Sequence, residues 1–239
     1  MPILDDLLQI ENRLEVEGDS KQVRRTFWRI VGKMKRRAPS EVTNEEINKA
    51  TEIRNRLFRH PVILGVGKGL LIFFLIAIFS YAAFIWALLS LEVHILVLNG
   101  ILFFLGIFAL YGVYILGRYL GGRIARVKFE GFYRYSPVEL GLKIEYASYL
   151  KTTLSRRKWV FGFPIIWVFV FLFLEVVIAW FLNPLGLWAP LIFLLLFPFF
   201  YVAITHWKLG ELYRFLRELR IEREMKRKRQ KQSEHESGQ

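Results

Sequence analysis

One carboxylate stands alone in an apolar stretch that holds no other ionisable group: Glu175, in WVFGFPIIWVFVFLFLEVVIAWFL over Trp159–Leu182. At ~1.5 Å of rise per residue it lies ~10 Å below the nearer membrane surface, if the stretch spans a bilayer. A charged group at that depth costs ~2.5–3.5 kcal/mol even on a lenient insertion scale, so it must face protein or water. No Lys or Arg shares its depth. Glu175 is therefore expected to carry a proton, or to hold a cation or a partner's positive charge. Counting inward on the neighbouring apolar stretches puts Asn99 ~8 Å deep and Ser80 and Tyr81 ~13–15 Å deep. Glu175, Asn99, Ser80 and Tyr81 thus form a candidate intramembrane polar layer, below Glu92 and His94. Two chemistries fit it. One is a cation or proton site; the other is a protonated carboxyl bonded to Asn99 or Tyr81 as glue between helices.

Catalytic constellations are missing from the pattern. All three aspartates, Asp5, Asp6 and Asp19, lie near the N-terminus, which excludes a paired-aspartate membrane protease. There is no His-Glu-x-x-His helix for zinc, and His60, His94, His206 and His235 fall at different depths. No cysteine is present, which removes thiolate catalysis and disulfides. Gly65-Val66-Gly67-Lys68-Gly69 lacks the spacer and the Ser or Thr of a phosphate loop. The chain is read as a non-enzyme, with no cofactor and no metal.

The second group of candidate residues is cationic. Arg24, Arg25, Arg29, Lys33, Arg36 and Arg37 sit in the N-terminal region, Arg156, Arg157 and Lys158 in the middle, and Lys226, Arg227, Lys228 and Arg229 near the C-terminus. They are expected to meet anionic headgroups or an acidic partner. A net charge of +13 would point to nucleic acid in a soluble protein. Here its distribution points instead to topology. All 34 Lys and Arg residues lie in 1–61, at Lys68, in 117–158 or from 208 onward. Cytoplasmic segments carry such an excess, so both termini and the central segment are expected inside. Nucleic acid is the weaker alternative.

The elements that must position these residues follow from patterning. The chain reads as an all-α integral membrane protein with four transmembrane helices as two hairpins, multi-pass in the cell membrane. Its organisation is a cytoplasmic helical region at 1–61, a first hairpin at 62–116, a basic cytoplasmic loop with an amphipathic helix at 117–158, a second hairpin at 159–207, and a basic tail at 208–239. The N-terminus is acidic and lacks the pattern of a cleavable signal peptide.

Ile3, Leu7, Ile10 and Leu14 form an apolar seam at helical spacing, and Val23, Phe27, Ile30 and Met34 form another. The second, basic helix either lies on lipid or folds back on the acidic first one. Thr43-Asn44-Glu45-Glu46 is a capping box opening a helix with Ile47, Ala50, Ile53 and Leu57 on one face. Spans are expected at 63–89, 93–116, 159–182 and 187–207. The small pairs Gly65/Gly69 and Ala83/Ala87, and the run Gly100, Gly106, Gly112, Gly117 and Gly121, allow close helix approach. Ser136-Pro137-Val138-Glu139 predicts a helix reaching about Leu154. Phe129, Phe132, Tyr133 and Tyr135 with Arg134 read as an interfacial aromatic belt, with base stacking as the lesser alternative. In the tail, Leu209, Leu212, Leu216 and Leu219 form the expected seam.

Function is then expected to be that of an assembly or interaction component of a membrane complex, acting through its cytoplasmic helices on itself or on a protein partner. The alternative is an oligomeric ion channel or small transporter subunit with symmetry-related Glu175 residues around a pore. A membrane-tethered nucleic-acid binder is a further one.

Overall fold

The computed structural model describes residues 3–37, 39–58, 60–90, 92–134, 140–205 and 210–237. The chain opens with three helices, α1 (Ile3–Glu17), α2 (Lys21–Met34) and α3 (Asn44–Leu57). Gly18 takes a left-handed φ of 68° at the α1–α2 turn, a conformation that suits glycine. Ser20 Oγ then caps α2 by accepting from the Val23 amide at 3.2 Å. Ile3, Leu7 and Ile10 bury against Val23, Phe27, Ile30 and Met34, and α3 closes the cluster with Ile47, Ala50, Ile53 and Leu57. Each fully buried Leu, Ile or Phe contributes roughly 1.5–3 kcal/mol. Charge complements the packing: Lys33 pairs with Asp6 at 3.6 Å and Lys49 with Glu11 at 2.6 Å. The apolar face of α2 is therefore occupied by α1 and α3, and does not lie on lipid. The Thr43 capping box is formed, its hydroxyl accepting from Glu46 N and Glu46 accepting from Thr43 N.

Next come β1 (Val62–Leu64), α4 (Val66–Ser90), α5 (Ile95–Ala125), β2 (Phe129–Arg134) and β3 (Leu140–Ile144). β1, β2 and β3 form one antiparallel sheet in that order. The sheet corrects two expectations. The first apolar helix starts at Val66, because residues 62–64 pair with β2. The helix expected to run from Ser136 to Leu154 is interrupted, because Leu140, Leu142 and Ile144 alternate along β3, with Leu142 buried. The residues of its proposed cap, 136–139, lie outside the described residues, as does Tyr135. Phe132, expected in an aromatic belt, instead plugs the end of the bundle. Its ring stacks on Phe73 at 5.4 Å and fills the space that a side chain at Gly69 would take.

The remaining elements are α6 (Tyr146–Lys151), α7 (Leu154–Arg157), α8 (Trp159–Leu182), α9 (Trp188–Thr205) and α10 (Glu211–Ser237). The protein is predominantly helical. Among the described residues, three helices are long and apolar enough to cross a membrane: Val66–Ser90, Ile95–Ala125 and the continuous stretch Leu154–Leu182. Phe74, Phe79, Phe104, Phe108, Phe173 and Phe181 are exposed on them, as a lipid solvent requires. α5 continues nine residues past position 116, and this basic end still packs on the start of α8 through Gly117 and Gly121.

α5 is the centre of that bundle, and its glycines mark where neighbours cross. A Cβ at Gly112 would sit 2.6 Å from the Phe73 carbonyl oxygen and 2.9 Å from the Ala77 Cβ, on α4. One at Gly121 would sit 2.6 Å from the Trp159 carbonyl oxygen, on α8. Small residues let backbones approach closely where no hydrophobic force favours one helix over lipid. α9 packs on α8 and α5 through Phe193 and Phe197, Phe193 meeting Phe103 at 5.5 Å.

Candidate functional site

Glu175 lies in the middle of the bundle and is 1% exposed. Gly106 of α5 makes room for it: a Cβ there would sit 3.2 Å from Oε2. Tyr81 of α4 faces the same carboxyl, yet its hydroxyl and Glu175 Oε1 are both buried without a hydrogen bond of ordinary geometry. No cation approaches either group among the described residues. Glu175 is thus enclosed by helices of its own chain, and is not displayed on the outer surface of the bundle.

The four residues expected in one polar layer separate into two places. Ser80 is half-buried beside Tyr81 and makes no hydrogen bond to Glu175. Asn99 lies seven residues from Gly106 along α5, roughly 10 Å at the helical rise, and works at the end of the bundle instead. Its Nδ2 donates to the Ile95 and Leu185 carbonyls, both at 2.9 Å, and its Oδ1 accepts from Ala189 N at 2.7 Å. Asn183 does the reciprocal work, donating to the Leu88 carbonyl at 3.0 Å. Together the two asparagines tie the ends of α4, α5 and α9 and the 183–187 turn into one cap. Buried backbone groups at helix ends need such partners, and that need explains Asn99 fully.

At the opposite end the cationic segments close into a buried ion-pair cluster. Lys35 Nζ donates to Glu218 Oε1 at 2.6 Å and to the Tyr149 hydroxyl at 2.8 Å, and Tyr149 in turn donates to Glu218 Oε1 at 2.8 Å. Arg157 stands 3.9 Å from Glu218 Oε2. Burial pushes the Lys35 amine down to about 7 against the pull of Glu218. Burial alone would raise Glu218, but Lys35 and Arg157 outweigh it and hold the carboxyl below its usual range. Tyr149 is driven well above its usual value, first by burial and then by Glu218. Two further bridges anchor the same helix: Arg118–Glu211 at 2.7 Å and Lys158–Glu222 at 2.8 Å.

These pairs reassign several cations expected to face lipid or a partner. Arg157 is buried, its Nη2 donating to the Leu150 and Thr152 carbonyls at 3.1 and 2.8 Å, so it is not a surface group. Lys158 is held by Glu222, Arg36 by Glu224 at 3.3 Å, Arg37 by Glu46 at 3.6 Å, and Arg24 by Asp19. Lys226 also reaches Glu222, at 3.1 Å. Arg25, Arg29 and Arg156 are exposed and make no ion pair among the described residues, and Arg227 and Lys228 are exposed on the far part of α10; the Arg229 side chain lies outside the described residues.

The tail seam is corrected too. α10 buries Glu211, Glu218, Ile221 and Glu222, while Leu216 is largely exposed and Leu209 lies outside the described residues. The face is set by the basic groups it must neutralise. A signal for it exists in the sequence: Glu211, Glu218 and Glu222 recur at intervals of seven and four within an otherwise basic helix. No protein family, curated protein or solved structure matches the chain.

Proposed function

We propose that the chain crosses the membrane four times as two hairpins, with both termini cytoplasmic, and acts as a non-catalytic interaction component of a membrane complex. The topology is supported by where the basic segments meet. Lys35 of the N-terminal region, Tyr149 and Arg157 of the central segment and Glu218 of the tail share one buried cluster. A chain whose three separated segments meet at one end must return after each excursion. That supports reading α9, 18 residues and ~27 Å long, as the last crossing. The excess of Lys and Arg supports reading that end as cytoplasmic.

The interaction role rests on the outward face of α2. Its inward seam is consumed within the chain, so a partner has only the outer face to meet. There Lys21, Arg25 and Arg29 are exposed without ion pairs among the described residues, beside a half-exposed Trp28. An aromatic among free arginines is the composition of an interface hot spot, and its charge selects an acidic protein partner. Protein extracted from its own membranes into lipid discs should show a mass above the monomer, and Arg25→Glu/Arg29→Glu should reduce it to the monomer. A monomeric mass for the unaltered chain would remove this role.

A second reading is favoured by one observation, the buried carboxyl of Glu175, which faces Tyr81 and has no cation beside it among the described residues. It makes each protomer's bundle a proton or cation site. Glu175→Gln should then abolish pH-driven flux into liposomes; equal flux from both proteins would leave Glu175 as a packing residue.

A further inference from the structure

We infer that the cleft where α5 ends against α6 and α7 is a specific binding site for the phosphate-bearing headgroup of an anionic phospholipid. It has a volume of ≈ 430 Å³, and four cations line it: Arg126, Lys128, Lys151 and Arg156. All four are exposed and none makes an ion pair among the described residues, in a protein whose neighbouring cations Lys35, Arg118, Arg157 and Lys158 are all matched to carboxylates. Glu145 is the single acid in the lining, which leaves a net charge of +3.

The fold builds this concentration locally. Arg126 holds a left-handed backbone, φ 60°, as the residue that ends α5. That turn sends Lys128 back toward α6, where its amide donates to Ser148 Oγ at 2.9 Å. A non-glycine residue in this conformation is uncommon, and glycine would hold the same turn with less strain.

Position selects lipid over a soluble anion. Gly121 packs on Trp159 and Phe163, level with the start of the apolar stretch of α8. The cleft therefore lies within two turns of the hydrocarbon edge, at headgroup height. On α5 next to it, Leu120 and Ile124 are exposed, one turn apart, and offer an apolar strip for the acyl chain. The inference rests on the membrane placement proposed above, but not on the acidic partner at α2.

The test counts lipid on the full chain. Protein in mild detergent is titrated with phosphatidylglycerol or with phosphatidylcholine and read by native mass spectrometry, before and after adding inorganic phosphate. The unaltered chain should retain one phosphatidylglycerol in preference to phosphatidylcholine. Each basic side chain near a lipid surface is worth roughly a five-fold change in affinity, so Arg126→Gly/Lys128→Ala/Lys151→Ala should weaken retention about 100-fold. Glycine suits the backbone of position 126, and a thermal melt of the triple variant checks that the fold is kept. Arg227→Ala/Lys228→Ala, exposed on the far part of α10 and outside the cleft lining, should retain the lipid as the unaltered chain does. Equal loss in both variants would overturn the site, since it would mean diffuse attraction only. Displacement of the lipid by millimolar phosphate would overturn the lipid in favour of a soluble anion. Equal retention of the two lipids would overturn the site altogether.

Discussion

Removing one carboxylate should release the tail from the bundle. Glu218 is 0% exposed and faces Lys35 at 2.6 Å, Tyr149 at 2.8 Å and Arg157 at 3.9 Å. Glu218→Ala leaves Lys35 buried with only a phenol for company and Arg157 with only backbone carbonyls. Stranding a buried charge in this way costs about 3–5 kcal/mol. At about 1.4 kcal/mol per factor of ten, the ratio of docked to undocked tail falls by roughly two to three and a half orders of magnitude. Trypsin reports this directly, because cleavage after Arg217 or Arg220 requires α10 to leave its seat and unwind. The rate of those cuts should rise by a comparable factor. Replacing both partners, Lys35→Met with Glu218→Leu, should recover most of the protection, because an apolar pair of similar volume is often as stable as a buried ion pair. The exposed pair Arg36–Glu224, with side chains 48% and 45% accessible, supplies the contrast. Glu224→Ala should change the rate little, since exposed pairs contribute about 0–1 kcal/mol. Cleavage of Glu218→Ala at the rate of the unaltered chain would refute the latch.

The same cluster predicts acid sensitivity. Glu218 and Glu222 have folded-state values below the usual 4.5, so the stability they lend is present above 4.5 and lost as pH falls through their folded values. Glu211, raised by burial, acts in the opposite sense. Tail protection should therefore persist at pH 6 and fall away below pH 4; protection unchanged at pH 3 would contradict the assignment. Gly112→Ala forces a methyl against the Phe73 carbonyl and Ala77, and should lower the thermal stability of the bundle by ~1–3 kcal/mol. Gly100→Ala, with open space around it, should leave the melt unchanged. Asn99→Ala removes three hydrogen bonds at the cap that joins α5 to the 183–187 turn and α9. It should destabilise by about 1–3 kcal/mol in the same assay without altering any Glu175-dependent flux. Loss of flux in Asn99→Ala would instead return Asn99 to the carboxylate's layer.

Much of the fold was legible because it is written in local patterns. The apolar blocks, the seams of α1 and α2 and the Thr43 capping box each depend on residues a few positions apart. The sheet was not, because Ser136-Pro137-Val138-Glu139 is a strong helix opening that masks the alternation of Leu140, Leu142 and Ile144. The strand wins through a partner, β2, which lies before it in the chain and is invisible to a local window. The same reason hid the latch. Lys35 and Glu218 are 183 residues apart, and the tail's leucines outline a better local seam than the acidic face that binds. Depth counting located Glu175 and Tyr81 correctly relative to each other. It misplaced Asn99, because neither helix tilt nor the demand of two turns for hydrogen-bond partners can be counted from a sequence.

The most direct test of the whole account is the sidedness of the three basic regions. The chain has no cysteine, so single reporters can be placed at will: Glu92→Cys in the first outer turn, and Thr26→Cys, Lys128→Cys and Lys228→Cys in the three cationic segments. Membrane-impermeant maleimide applied to intact cells should label only Glu92→Cys, and all four after lysis. Labelling of Thr26→Cys, Lys128→Cys or Lys228→Cys from outside would contradict the four crossings, and with them the shared cytoplasmic face on which the latch and the headgroup cleft depend.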